Sequence, residues 1–342
     1  MEYREIDALN QSSLKKILES PQSYLQAKKA QQENRKTTEE HFIFGSVLDI
    51  MLTGTKEEFE SKYAVMDDSL KCSESVKAVI DNIIEECDSL NTDLTDVTLD
   101  SLRDLILQHC NYLALYPTWK DDTKVNKIIE LGTGYFEEVK VTIGKTIISE
   151  TEYAKAVACK MALASDKYTR EFVVKLHNPN RTFFDKLIIE FNWRGYNIKG
   201  ELDRVIVDHN TKTIIPIDFK TTSKNILGFN SDFWYYRYDF QAAVYKYGLT
   251  LHDSITKYLD KGYKISDFLY IVVEKNLFHS PMIFRVNQKV IDIGFSGGTL
   301  SNGKSLDGFE QAMLRYEYAM ENNAWEYPME YYDNEGVLFI EP

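Results

Sequence analysis

The chain lacks any run of about 18 apolar residues, so no segment is suited to cross a bilayer as a helix and no membrane partner is expected. It is poor in cysteine. Cys72, Cys87, Cys110 and Cys159 are the only four in 342 residues, and no two of them form a C-x-x-C pair. That spacing excludes a zinc ribbon, and in a reducing compartment these residues read as buried or idle thiols. The opening MEYREIDALNQSSLKK lacks the basic start and apolar stretch of a secretory signal, which places the protein in a cytoplasm. Basic residues are in deficit, 40 Lys and Arg against 53 Asp and Glu, for a formal charge of -13. Such a balance argues against a protein that coats nucleic acid over its whole surface, while leaving room for a local basic groove. Internal repeats and low-complexity tracts are also missing.

What is present is a globular composition, 44% hydrophobic and 13% aromatic, enough for a sizeable core. Residues 1–180 read as a mostly helical N-terminal part, and 181–342 as the part that holds the strands and a closing helix, the two expected to form one integrated domain. Asn10 or Ser12 can cap an opening helix whose Leu14, Ile17 and Leu18 share a face, with Pro21 as its stop. A second helix covers 41–54, with Phe44, Val47, Leu48 and Met51 on one side and Gly54 at its end. Residues 56–130 carry charged helical periodicity and read as a helical insertion or cap; another helix covers 151–166. The period then changes. Segments 187–193, 196–208 and 213–221 are rich in β-branched and aromatic residues, with Arg194-Gly195 as a hairpin turn. Pro216 predicts an edge or a bulge in the third strand. Residues 232–250 predict a helix, and 268–275 a buried strand.

Asp203, Asp218 and Lys220 stand out in this region. Asp218 and Lys220, two apart on one strand, share a face. The neighbouring strand can bring Asp203 beside Asp218. Two carboxylates and an ammonium are costly to bury in an apolar sheet. A hard divalent cation such as Mg²⁺, which takes oxygen ligands, gives them a purpose: it polarises a phosphodiester and lowers the pKa of a bound water. An adjacent lysine can orient that water or stabilise the charge that builds on the phosphate. A surface Asp–Lys ion pair is the plainer reading of the triplet taken alone.

GELDRV (200–205) followed by PIDFKTTSK (216–224) resembles the core motif of the PD-(D/E)xK nuclease superfamily, and within it the RecB-like and exonuclease VIII-type (RecE-like) branch. QAAVY (241–245) is similar to the Q-x-x-x-Y helix of that branch, with Tyr238 one turn earlier. SSLKKILESPQSY (12–24), FGSVLD (44–49) and NNAWEY (322–327) resemble its opening segment, its G-x-x-x-H helix and its closing segment. The resemblance implies an α/β (α+β) fold: a restriction-endonuclease-like core with a central mixed sheet flanked by helices, preceded by a helical N-terminal part. It implies Asp203, Asp218 and Lys220 as catalytic residues. Metal would be held by Asp203, Asp218, the Phe219 carbonyl and Asp49, which stands where the family has histidine. Asp185, on the strand before Asp203, is the candidate for a further carboxylate. The two-residue turn pairs Asp203 with Lys186 and leaves Asp185 next to that rung. Thr221, Thr222, Gln241, Tyr245 and Tyr238 would contact DNA or order the site; packing of the helix on the sheet is the plainer reading of Gln241 and Tyr245.

The implied activity is a Mg²⁺-dependent DNA exonuclease, with Mn²⁺ able to substitute, acting on ends of linear duplex. The resemblance further suggests 5′-to-3′ digestion, a homo-oligomer, a single-strand annealing or recombinase partner, and a phage or prophage recombination role inside a bacterial host. An endonuclease of the same chemistry is one alternative. A catalytically silent DNA-binding or inhibitor protein on this fold, suggested by the acidic charge, is another. No cysteine follows Cys159, so the iron–sulfur subtype of the superfamily is not expected. GTLSNGKS (298–305) matches a phosphate-loop pattern between 290–295, read as a possible strand, and a helix. Only 37 residues follow it, too few for a nucleotide-binding domain, so no ATP is expected.

Overall fold

The computed structural model describes residues 3, 6–32, 40–70, 72–175 and 179–340. Two compact units emerge, Met1–Thr53 with Cys159–Pro342, and Gly54–Ala158. The first begins with β1 (Leu9–Asn10), α1 (Gln11–Glu19), α2 (Pro21–Gln32) and α3 (Glu40–Thr53). Asn10 is the cap of α1: its side chain accepts the Ser13 N–H at 2.8 Å. Leu14 and Ile17 are buried below it, as their spacing predicts. Pro21 does more than stop α1. It opens α2, where its missing N–H would have had no helical partner.

The second unit holds α4 (Lys56–Lys62), β2 (Tyr63–Met66), α5 (Glu74–Ser89), α6 (Arg103–Tyr112), α7 (Asp121–Lys140) and β3 (Thr146–Ser149), and the chain leaves it along α8 (Glu150–Ser165). It has its own apolar core, in which Val76, Val79, Ile80 and Ile83 of α5 meet Ile106, Ile128 and Phe136. It extends past the 56–130 stretch because α7 continues to Lys140 and β3 then pairs in parallel with β2. Two residues 83 positions apart, Tyr63 and Thr146, thus stand side by side.

The first unit resumes at Cys159, within α8; α9 (Arg170–Val173) follows, and then the sheet: β4 (Arg181–Trp193), β5 (Tyr196–Asp208) and β6 (Thr213–Thr222). After α10 (Phe229–Tyr235), α11 (Tyr238–Leu251) and α12 (Asp253–Leu259) come β7 (Lys264–Ile265), β8 (Phe268–Glu274) and β9 (Met282–Val286). The chain closes with α13 (Gln288–Ser296), the short hairpin β10 (Gly298–Thr299) and β11 (Ser305–Leu306), α14 (Phe309–Asn322) and α15 (Met329–Asp333). The sheet is mixed and seven-stranded, ordered β1-β5-β6-β8-β9, with β4 on the other side of β5 and β7 against β6. β5 is antiparallel to β4 and β6, whereas β6 and β8 are parallel. All seven residues of β8 are buried, as suits a strand covered on both faces. This is the central mixed sheet flanked by helices that the family resemblance implies.

Arg194 and Gly195, both at positive φ (49° and 95°), make the two-residue turn that joins Trp193 to Tyr196. Three local expectations need correcting. Pro216 lies on an internal strand, not an edge: the rungs from β6 to β7 end at Ile214 and those to β8 begin at Ile217, so the proline falls in a break of that ladder. The helix expected over 232–250 is two helices, divided at Arg237, whose φ of 55° cannot continue a helix. Residues 290–295, expected as a strand, lie in α13. Asn287 caps that helix, and Gly294 sits where an added Cβ would lie 2.2 Å from the Asp239 carbonyl oxygen, so α13 and α11 touch backbone to backbone.

Candidate active site in the opened β5–β6 seam

The rungs between β5 and β6 run from Asp208↔Thr213 to Arg204↔Ile217 and go no further. On the same edge of β5, β1 pairs only with Ile198 and Lys199. Between these anchors, residues 200–203 carry no strand partner on that edge among the described residues. One step past the last rung, the Asp203 side chain takes over: its Oδ2 accepts the Phe219 N–H at 2.8 Å, satisfying a backbone donor that the parting strand has left. A carboxylate is thereby fixed beside Asp218 at the mouth of the seam.

Asp218 is almost fully buried, at 2% exposure. Its Oδ1 accepts from Gln241 Nε2 of α11 at 3.0 Å, and its Oδ2 meets Lys220 Nζ at 2.5 Å. That second oxygen takes no well-aligned hydrogen bond among the described residues. The Lys220 ammonium lies over the Tyr238 ring at 5.0 Å and near the Tyr270 ring at 5.7 Å, a cation–π setting that holds it without a second carboxylate contact. The Tyr270 hydroxyl donates to the Tyr238 carbonyl at 2.8 Å, locking helix to strand. Burial works against the Lys220 ammonium, yet Asp218 beside it raises its pKa above the ordinary lysine value.

Asp49 approaches from α3. Its carboxylate contacts the Lys186 ammonium, which also lies 3.2 Å from Asp203 Oδ1 and 3.6 Å from Glu201 Oε1. The rungs Asp185↔Arg204 and Leu187↔Leu202 place Lys186 opposite Asp203, the register that the two-residue turn predicts. Lys186 adopts φ 50°, a left-handed conformation unusual for lysine in mid-strand. Burial, and then the nearby Asp203, push the Asp49 carboxyl up to about 6. Burial pushes Asp218 up to about 7, with Lys220 opposing and Asp203 adding to the rise. Four carboxylates, Asp49, Glu201, Asp203 and Asp218, face two ammoniums, Lys186 and Lys220, leaving a formal surplus of two negative charges.

That surplus, an all-oxygen donor set and the unaligned Asp218 Oδ2 fit a hard divalent cation. Among the described residues no three His, Cys, Asp or Glu side chains are gathered into a cage by themselves. The Lys186 ammonium lies between Asp49 and Asp203 and supplies the positive charge there. A site of one or two carboxylates completed by water and phosphate oxygens is the usual arrangement for Mg²⁺.

Asp185 goes elsewhere. It is paired with the fully buried Arg204, whose Nε lies 2.7 Å from its Oδ1, and it also contacts Lys175. The Arg204 guanidinium further donates to the Phe172, Val173 and Leu52 carbonyls, tying the end of α3 to the sheet. The further carboxylate beside Asp203 is instead Glu201, on β5 itself. Its signal in the sequence was the strand period: two residues before Asp203, it shares that residue's face. Lys186 was also missed, because an ammonium opposite Asp203 reads as an ordinary cross-strand pair.

Of the other expected residues, Gln241 orders Asp218 directly. Tyr245 is buried, its ring so close to Gly200 that an added Cβ would come within 2.7 Å of it. The aromatic ring thus rests on bare β5 backbone one strand position before Glu201. Tyr238 is half-buried over Lys220. Thr221 and Thr222 are half-buried on the last residues of β6, and Thr222 Oγ1 accepts the Lys224 N–H at 3.0 Å.

Known proteins bear on this arrangement in unequal measure. No curated protein matches the chain. A solved structure from Eubacterium rectale, described as a candidate exonuclease, shares 13% identity over 70% of this chain and 83% of its own, with a TM-score of 0.34, a likeness too loose to say anything of activity. The family model of the PD-(D/E)XK nuclease superfamily, whose members generally use divalent metal ions, matches residues 8–282. That span takes in α1, α3, the opened β5–β6 seam and the α11 helix that holds Asp218. The chain belongs to the PD-(D/E)XK nuclease superfamily.

Proposed function

We propose that the protein is a Mg²⁺-dependent deoxyribonuclease that hydrolyses phosphodiester bonds as an exonuclease at the ends of linear duplex DNA. The observation that carries this reading is the meeting of Asp49, Asp203 and Asp218 with Lys220 where β5 and β6 part. Asp203, Asp218, Asp49 and the Phe219 carbonyl would hold the ion, with Mn²⁺ able to replace Mg²⁺. Bound there, the ion would polarise the phosphate and lower the pKa of its water. Lys220 orients the attacking water and balances charge that develops on the phosphate. Gln241 keeps Asp218 turned into the site, while Thr221, Thr222, Tyr238 and Tyr245 line or support the path of the nucleic acid. The family resemblance supports 5′-to-3′ polarity, a homo-oligomer, a single-strand annealing or recombinase partner, and a phage or prophage recombination role.

Exonuclease action is tested by comparing an end-labelled linear duplex with closed circular DNA of the same sequence, both with Mg²⁺. Digestion of the linear form alone is expected; linearisation of the circle would replace the exonuclease by an endonuclease of the same chemistry. A silent DNA-binding or inhibitor protein has one observation in its favour: the Lys186 ammonium stands between Asp49 and Asp203. Absence of any divalent-cation effect on thermal stability would favour that second reading.

A further inference from the structure

Beside Lys220 the aromatic packing does not stop at the protein's interior. Tyr270 stacks on Tyr238 (centroids 5.4 Å, planes 29° apart), Tyr238 meets Tyr236 at 5.8 Å, and Tyr236 meets Tyr235 at 4.9 Å. Along this row exposure rises from nothing at Tyr270 to 46% at Tyr236 and 79% at Tyr235. Rings of this size ordinarily gain by burial. Here the backbone keeps the outer two in solvent. Arg237, in its left-handed conformation, ends α10 just after them, and its guanidinium is clamped by Asp239 at 3.0 Å and by the Asp307 carbonyl.

The row is interleaved with cations. Lys220 lies over Tyr238, Lys224 lies 5.8 Å from the Tyr236 ring, and Lys15 Nζ donates to the Tyr236 carbonyl at 3.1 Å. Lys224 has a carboxylate partner, Asp232, at 2.7 Å. Burial, and then repulsion from Lys220, pull Lys15 down to about 8 despite the opposing Asp239. Lys15, Lys220 and Lys224 thus set three ammoniums along the row in a protein that is acidic overall. Alternating rings and ammoniums match the two needs of an unpaired nucleic-acid strand, faces on which bases stack and cations for its phosphates.

We propose that Tyr235 and Tyr236 form a stacking platform for unpaired nucleotides of single-stranded DNA, leading to the hydrolytic site at Lys220. The platform rests on the nuclease reading and deepens it: it selects ends that are frayed or carry a single-stranded tail. Bases inside a duplex, stacked on both faces, offer none to these rings, whereas each unpaired base of a tail can offer its own.

The test is fluorescence anisotropy of a short fluorescein-labelled oligothymidylate in EDTA, where no hydrolysis intervenes. Compared are the wild type, a Tyr235→Ala/Tyr236→Ala double variant and a Tyr235→Phe/Tyr236→Phe double variant, with thermal melts to confirm folding. Loss of affinity by about tenfold or more in the alanine variant is expected, with the phenylalanine variant close to wild type, because stacking needs the ring and not the hydroxyl. Wild-type affinity in the alanine variant, an equal loss in the phenylalanine variant, or no binding by the wild type would each overturn the platform. Failure of the nuclease reading is a separate readout: no cleavage of any DNA by the wild type with Mg²⁺, whatever the anisotropy shows.

Discussion

At the residue scale, the site is defined by charge crowded into a small space. In the metal-free protein Asp49 and Asp218 hold protons well above the ordinary carboxylate value of 3.8, at about 6 and about 7. The sign follows directly. A raised carboxylate pKa means that the folded state binds the proton more tightly than the unfolded chain. The stability it confers is therefore full at low pH and is lost as pH rises through the range from 3.8 to about 7. A divalent cation held as proposed would offset that loss, because it requires the ionised carboxylates. The rise in melting temperature with Mn²⁺ is thus predicted to be larger at roughly pH 8 than at roughly pH 5; equal rises would contradict this placement of the carboxylates. Asp185 gives a contrasting prediction. Asp185→Asn leaves the Arg204 charge buried without its partner, so urea unfolding should report a loss of about 3–5 kcal/mol. Cation affinity measured by calorimetry should stay near wild type.

At the element scale, the decisive feature is a ladder that stops. Arg204↔Ile217 is the last β5–β6 rung, and the Asp203 side chain serves Phe219 where the next backbone bond would have formed. The hairpin that aligns these strands was readable from Arg194-Gly195 and from alternating residues, and β5 runs over Tyr196–Asp208 as predicted. Asp203, Asp218, Lys220 and Gln241, which meet at the candidate site, were readable as motifs. Other parts were not, for physical reasons. At the break, Arg237 is tied to the Asp307 carbonyl, 70 residues away, a contact that no local pattern reveals. The helix α13 hid within β-branched residues, whose preference for strands gave way to tight packing on α11. Asp185 looked like a ligand because the sequence does not show that Arg204 claims it. Gly200 tests the element directly. A methyl there meets the Tyr245 ring at 2.7 Å, so Gly200→Ala is predicted to destabilise by about 1–3 kcal/mol in urea unfolding. An unchanged midpoint would mean that Tyr245 is not wedged against β5.

At the scale of the whole molecule, two units with separate apolar cores share one chain. The carboxylates of the site all belong to the unit formed by Met1–Thr53 and Cys159–Pro342. Calorimetry is therefore predicted to resolve two transitions, only one of which Mn²⁺ raises, since a ligand stabilises the unit that binds it. A single transition would show that the units unfold together. The acidic balance of -13 belongs to this scale as well: it disfavours a protein that coats nucleic acid over its whole surface. Metal-assisted hydrolysis at the opened seam is the central proposal for this molecule. Its most direct measurement is the initial rate of nucleotide release from linear duplex DNA by the wild type and by Lys220→Ala, with Mg²⁺ and with EDTA. Release by the wild type only with Mg²⁺, and a rate lower by about 10²–10⁴-fold in Lys220→Ala, is the predicted result. Equal release in EDTA, or full activity in Lys220→Ala, would contradict it.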